Sequence, residues 1–275
     1  MPIPAYAGTV ERAWYIIFRL ICAAVLLFLI APILVIMPLS FNAEPYFSYP
    51  MPGLSLRWYE DFFTSERWQT ALRNSVIVGC ATTILATALG TLAALGLSRA
   101  NFPARAAVMG VLISPMVVPI IITAVGMYFF YTQIGLSNSL PGLILAHTAL
   151  ATPFVVIVVT ATLSSFDYSL ARAGASLGAN PPRVFFKVIL PLILPGVISG
   201  ALFAFVTSFD EVVVVLFLAS PEQRTLPKQM FSGIRELISP TITAAATLLI
   251  LFSIFLLTSV ELLRRRSERL RGIRS

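Results

Sequence analysis

Charge is scarce in this sequence. Only 11% of its 275 residues are Asp, Glu, Lys or Arg, against about 25% in an ordinary soluble domain, and that excludes a normal water-soluble protein. Cysteine is almost missing. Cys22 and Cys80 both fall in apolar stretches, which argues against a disulfide framework and makes them packing residues. His147 is the single histidine, and no Cys/His cluster has the spacing of a metal site. No Gly-x-x-x-x-Gly-Lys loop occurs to cradle a nucleotide's phosphates. The chain is therefore expected to need no cofactor of its own, and any nucleotide energy must come from another chain. A nucleophile, base and orienting residue cannot be placed together, which leaves a membrane enzyme remote.

Hydrophobic residues make up 58% of the chain. About 20 consecutive apolar residues cross a bilayer, and stretches free of charge run over 20–43, 74–98, 106–166, 188–209 and 237–260. The third is of double length. Its middle, Thr132 to Gly142, is "TQIGLSNSLPG", whose Gly, Ser, Asn and Pro mark a turn between two helices. The fourth continues past an acidic pair, since Val212 to Ala219 remain apolar. The expectation is an all-α polytopic membrane protein with six transmembrane helices at about 14–39, 71–98, 106–131, 141–163, 187–218 and 240–263.

Basic residues are retained preferentially in cytoplasmic loops. With the N-terminus inside, Arg12, Arg19, Arg99, Arg105, Arg172, Arg183, Lys187, Arg264, Arg265, Arg266, Arg269, Arg271 and Arg274 become cytoplasmic. The basic residues left outside, Arg57, Arg67, Arg73, Arg224, Lys228 and Arg235, share their loops with Glu44, Glu60, Asp61, Glu66, Glu222 and Glu236. Both termini are then cytoplasmic: residues 1–13 at the start and a basic tail, 264–275, after a transmembrane domain over 14–263. The net charge of +7 lies on the inner face, where it reads as a topology signal beside anionic lipid and not as a nucleic-acid surface.

Two outer loops carry helical patterns. "SLRWYEDFFTSERW" opens with Ser55 as a cap and gathers Trp58, Tyr59, Phe62 and Phe63, as expected of a helix at the membrane interface or of a surface receiving a partner. In the last outer loop Leu226, Met230, Ile234 and Leu237 recur at helical spacing behind Thr225 and Pro227, and a second interfacial helix is expected.

The loop between spans four and five reads "FDYSLARAGASLGANPPRVFFKVILPLILPG" from Phe166 to Gly196. Asp167 can cap a short helix, Leu170, Ala173 or Gly174, and Leu177 line one side, and Gly178 with Pro181 and Pro182 ends it. Taken alone, this is an ordinary amphipathic connector, with small residues that let its backbone approach another surface.

The stretch "ARAGASLGANPPRVFFKVILPLILPG" resembles the cytoplasmic signature of permease subunits of binding-protein-dependent ABC importers, with Gly178 and "ILP" (Ile189 to Pro191) in register. "GLSNSLPGLILAHTALATPFVVIVV", "LSSFDYSL", "TSFDEV" and "ISPTI" are similar to the spermidine and putrescine permeases over most of 70–260. The resemblance implies the type I importer permease (MetI-like) fold. It further implies that the segment at about 167–180 is a coupling helix seated on an ATPase subunit through Arg172, Ala173, Gly174, Leu177, Gly178 and Ala179. The family's signature Glu falls on Arg172 and its second Ala on Gly174, so this contact departs from the usual charge and needs a compensating acid or a partner that keeps the Glu. Implied partners are a second permease subunit, identical or different, two ATPase subunits carrying the ATP and magnesium, a periplasmic substrate-binding protein and membrane lipid, all at a bacterial inner membrane. No nucleic acid is implied.

Within the fifth span stands "SFDEVVVVLFLA". Counting about 1.5 Å per residue from Lys187 puts Asp210 and Glu211 some 35 Å along the helix, in or near the membrane. A carboxylate facing lipid costs roughly 3 kcal/mol on insertion scales, so each faces a partner, a bundle interior or water. Neighbouring helical residues differ by about 100° in direction, so one acid would face a conduit and the other an adjacent helix, unless the helix is unwound there. A negatively lined conduit favours a cation, and Ser208 and Phe209 would line it beside the acids. The structural alternative is an ion pair with Arg73 or a partner's base. Tyr128 and Tyr131, in the aromatic run with Phe129 and Phe130, are candidates for holding an amine through cation–π contact, or else an interfacial belt. His147 reads as a hydrogen-bonded packing residue before a proton relay. Pro115, Pro119, Pro153, Pro191 and Pro195 kink or open their helices, beside a gate or only for packing. Rival functions are an importer of amino acids or opines and a proton-coupled secondary cation carrier, whose inverted repeats the sequence does not display.

Overall fold

The computed structural model of the chain describes residues 8–98, 104–236 and 239–270. Arg99, Leu237, Arg271 and Arg274 lie outside these residues. The described residues form the helices α1 (Thr9–Leu39), α2 (Arg57–Thr64), α3 (Glu66–Leu97), α4 (Arg105–Val117), α5 (Ile120–Gln133), α6 (Leu140–Ser164), α7 (Tyr168–Ser176), α8 (Pro181–Val184), α9 (Leu190–Phe209), α10 (Val213–Leu218), α11 (Leu226–Glu236) and α12 (Pro240–Leu270). A π-turn, Phe185–Ile189, joins α8 to α9. Among the described residues no strand forms beyond an isolated antiparallel bridge between Asn42 and Leu54. The helices at 9–39, 66–97, 140–164, 181–209 and 240–258 are each long and apolar enough to cross a membrane.

The remaining expected span, 106–131, is broken. α4 and α5 meet at 102°, and the cause is local. Pro119 pushes the residue before it out of the helical region, and Val118 is extended at φ −70°, ψ 132°. Pro115, by contrast, stays inside α4. The carbonyl of Val111, deprived of its helical donor by Pro115, accepts a hydrogen bond from Ser114 Oγ at 2.8 Å.

The chain divides into two compact units, 1–64 with 233–275, and 65–232. In the first, α2 buries Trp58 and Phe62. Trp58 Nε1 donates to the carbonyl of Asn42 at 2.7 Å, and Ser40 Oγ meets Tyr59 OH at 2.7 Å. Thr241 Oγ1 of α12 donates to Asp61 Oδ2 of α2 at 2.7 Å. α1 buries none of its residues and carries no charged residue after Arg19, as suits a helix in contact with lipid.

The second unit is built on α3, α6 and α9, which pack along their lengths. Burial gives no net gain between helices already in lipid, so close van der Waals approach through small residues drives such packing. Ala86 and Ala94 of α3, Ala151, Val155, Val159 and Leu163 of α6, and Ile193 and Ala204 of α9 form one buried cluster. Gly196 of α9 abuts Thr162 of α6 with no room for a side chain. At the other end of the unit α5 and α10 close a second cluster around Leu143, Ala146 and Leu150 of α6. The expected turn before α6 is present: Gly135 and Asn138 take left-handed backbone angles, and Ser139 Oγ caps α6 by accepting from the Gly142 N–H at 3.1 Å.

Candidate functional site

The fifth span ends sooner than its composition suggests. α9 stops at Phe209, residues 210–212 are not helical, and the short α10 begins at Val213. The chain is thus unwound where its two carboxylates stand, and they take different roles. Asp210 is the C-cap of α9, its N–H still bonded to the carbonyl of Val206 at 3.0 Å. Glu211 turns back, and its Oε1 accepts from the Val214 N–H at 2.9 Å, satisfying one of the donors left free at the start of a helix.

Direction along α9 follows from the contacts of the residues before the break. Ser208 is buried against α6, with its hydroxyl 2.9 Å from His147 Nδ1. Phe209 stacks on Phe205 at 5.2 Å between centroids, and both rings lie against Gly79 of α3. Asp210, a further 100° round, faces neither helix and is exposed. Among the described residues no hydrogen bond or ion pair reaches its carboxylate, and none joins either acid to Arg73.

The two tyrosines separate. Tyr131 is 8% exposed, packed in the cluster that holds Val214, Val215 and Leu218 of α10. Tyr128 is 40% exposed and stands beside the exposed Phe129. A cavity of about 510 Å³ between α3 and α9 is lined by Thr83, Thr87, Leu92, Phe185, Val197 and neighbours. Its walls are apolar and it does not include the acids.

The segment after the break, from Ser220 to Lys228, is fastened by contacts the sequence did not announce. Asn74 Nδ2, in the third turn of α3, donates to the carbonyls of Glu222 and Arg224 at 2.8 and 3.0 Å, and Ser75 Oγ accepts from the Leu226 N–H at 2.7 Å. Lys228 Nζ donates to the carbonyls of Val215 and Ala219 at 3.2 and 2.6 Å, a basic group closing the C-terminal end of α10. Burial, with Arg224's charge adding, holds the Lys228 ammonium below the ordinary lysine range. The first turn of α11, expected as a second interfacial helix, is held to α3 and α10, with Leu226 fully buried. The available signal was the adjacent polar pair Asn74 and Ser75 heading an apolar span.

At the opposite end of this unit α7 forms as its residues dictate. Asp167 caps it, accepting from the Ser169 N–H at 2.8 Å and the Ser169 hydroxyl at 2.6 Å. Those bonds, the hydroxyl's first, with the Arg172 guanidinium adding, hold the Asp167 carboxyl below its usual value. Gly178, at φ +83°, ends the helix, and the Ala179 N–H reaches back to the carbonyl of Gly174 at 3.2 Å. Tyr168 OH meets Ser98 Oγ at the end of α3 at 2.6 Å. Gly174 faces Val184 and Val188, and Ala179 is half-buried, whereas Arg172, Ala173, Leu177 and Gly178 are exposed. Leu177 is 89% exposed.

Three comparisons bear on this arrangement. The family model for binding-protein-dependent transport system inner membrane components matches residues 86–271. The chain is 33% identical over 241 residues to the spermidine/putrescine transport system permease protein PotC of Haemophilus influenzae, covering 88% of this chain and 93% of that protein. It is 32% identical over 248 residues to the putrescine transport system permease protein PotI of Escherichia coli K12, covering 88% and 87%. Among solved structures, a bacterial ABC transporter that imports the acidic polysaccharide alginate contains a chain of the same fold, with a TM-score of 0.75 at 15% identity, covering 96% of this chain and 99% of that one.

Proposed function

Because this chain belongs to the family of binding-protein-dependent transport system inner membrane components, we propose that it forms half of the translocation pathway of an ABC importer for polyamines or related small organic cations. The observation that carries the cargo class is the unwound, unpaired Asp210 at the end of α9 in a chain about one third identical to two polyamine permeases. A helix end that leaves a carboxylate free of protein partners favours a positively charged passenger, because charge interactions strengthen as water is excluded. Glu211 supports it by closing the first turn of α10, and the exposed Tyr128 is available to an amine through its ring.

In this reading a second permease subunit completes the conduit, two ATPase subunits supply ATP hydrolysis, and a periplasmic binding protein delivers the cargo. Both termini and α7 face the cytoplasm. α7 is the coupling element: the exposed side carrying Arg172, Ala173, Leu177 and Gly178 enters a groove of the ATPase, and the Tyr168–Ser98 bond transmits its displacement to α3. Nucleotide-driven closure of the ATPases tilts the bundle and opens the route outward.

The test is uptake of labelled putrescine by the complete transporter in liposomes. Asp210→Asn with Glu211→Gln is expected to lower uptake about 10-fold or more while assembly with the ATPases persists; unchanged uptake would make the acids structural. Arg172→Glu is expected to change ATPase activity per transporter without changing preference among cations. Uptake driven by a proton gradient in the absence of ATPase subunits would reject the importer altogether.

A further inference from the structure

Hydroxyls in the apolar helices commonly return to their own backbone, as Thr83 does to Gly79, Thr148 to Ile144, Thr162 to Val158 and Ser199 to Pro195, which is the local solution for Ser and Thr in such helices. Ser208 does not. Its hydroxyl bonds across to His147 Nδ1 on α6, and the two side chains are 4% and 1% exposed.

The other ring nitrogen of His147, Nε2, is buried with no hydrogen-bond partner among the described residues. Whichever tautomer the ring adopts, one buried donor or acceptor goes unmet, at a cost of about 1–3 kcal/mol. A phenyl or leucyl group would fill the place without that cost. What the imidazole adds is the bond to α9.

That bond has a directional consequence. It pins the last turn of α9 toward α6, so Phe209 falls on α3 beside Gly79, and Asp210, the next 100° step, points away from both helices. Rotation of this turn by a single step would carry the carboxylate onto α3, into the half-buried place of Phe209. We propose that His147 is a positioning residue: through Ser208 it fixes the azimuth of the end of α9 and so aims the Asp210 carboxylate at the open side, where the cation arrives. The proposal rests on reading Asp210 as the cation's contact.

The experiment measures putrescine uptake per ATP hydrolysed, with the complete transporter in liposomes and binding protein present. The variants are His147→Leu, Ser208→Ala, the two combined, and His147→Asn, whose amide stands near the position of Nδ1 and can bond Ser208. His147→Leu and Ser208→Ala are each expected to lower uptake per ATP about 10-fold while ATPase activity per assembled transporter stays within about 2-fold, since the loss is that of one hydrogen bond. The combined variant is expected to be no worse than the worse single one, because both remove the same bond. His147→Asn is expected to recover most of the ratio. A merely structural role would lower uptake and ATPase together and leave their ratio unchanged, and that result overturns the proposal, as does a multiplicative loss in the combined variant. If His147→Leu fails to assemble, Ser208→Ala carries the same comparison. Asp210→Asn in parallel separates the two layers. A lowered ratio there with an unchanged ratio in Ser208→Ala removes only the positioning role, whereas an unchanged ratio in Asp210→Asn removes the cation contact itself.

Discussion

Gly196 of α9 stands so close to Thr162 of α6 that a methyl group on its α-carbon would overlap Thr162 Oγ1, with Thr162 Cβ at 2.8 Å. Thr162 cannot swing clear cheaply, because its hydroxyl donates to the carbonyl of Val158 at 2.9 Å and a β-branched side chain in a helix has little rotamer freedom. Gly196→Ala is therefore expected to push α6 and α9 apart and to cost about 1–3 kcal/mol, the range for overpacking a well-filled site. Unfolding of the purified chain in mixed micelles checks this, and Thr162→Ala in the same chain should recover part of the loss.

The glycines of α7 predict opposite outcomes. A Cβ at Gly174 would meet Val184 and Val188 at 3.5 and 3.6 Å, ordinary contact distances. Gly174→Ala is expected to stabilise α7 by roughly 0.4–1 kcal/mol, by restricting the unfolded chain and filling that gap. At Gly178 nothing crowds a Cβ, but φ is +83°, and there an alanine is expected to cost about 1–2 kcal/mol. Amide hydrogen exchange across 168–179 would report both, with protection rising in the first variant and falling in the second.

How far these elements were legible depended on the range of the forces that make them. The spans at α1, α3, α6 and α12 follow from runs of apolar residues alone, and α7 follows from local signals, with Asp167 at its start and Gly178 at its end. The bend of α4 on α5 was half legible. Pro119 announced a break, but its 102° size depends on how the pieces pack. The end of α9 was not readable, because Val212 to Ala219 are as apolar as the helix before them; at the break stand two carboxylates, one accepting from the Val214 N–H and the other exposed. The Ser208–His147 bond spans 61 residues, and the sequence offered no cue to pair them.

Asp167 supplies a prediction in pH. Its carboxyl is lowered from the usual 3.8 in the folded chain, chiefly by the Ser169 hydroxyl, then by the Ser169 N–H and by Arg172. The folded state then binds fewer protons than the unfolded one in the interval between the two values, so stability rises with pH there. The cap's contribution is complete above 3.8 and is lost as pH falls through the lower, folded value. Protection factors for the amides of α7, corrected for intrinsic exchange, should drop across that interval. Asp167→Asn should keep α7 capped, since Asn caps as well as Asp, and should abolish the drop; an unaltered drop would assign it to another group.

Asp210 and Glu211 are adjacent in sequence, but the unwound segment gives them separable tasks. Glu211 acts through an oxygen that accepts from the Val214 N–H, and a glutamine offers the same oxygen without the charge. Glu211→Gln is therefore expected to leave α10 in place and to reduce putrescine uptake by less than about 3-fold. Glu211→Ala removes the acceptor, at about 1 kcal/mol, the ordinary cost of a lost helix cap, and should loosen the amides of 213–216. Asp210→Asn leaves the backbone bond to Val206 intact and removes the charge from the exposed position. Loss of a charge-assisted contact to a cation, roughly 1.5–3 kcal/mol, corresponds to about 10-fold or more in transport. Uptake by the three single variants thus ranks Asp210→Asn as the most damaged and Glu211→Gln as the least. The reverse order would make Glu211 the cation's contact and Asp210 the cap of α9 alone.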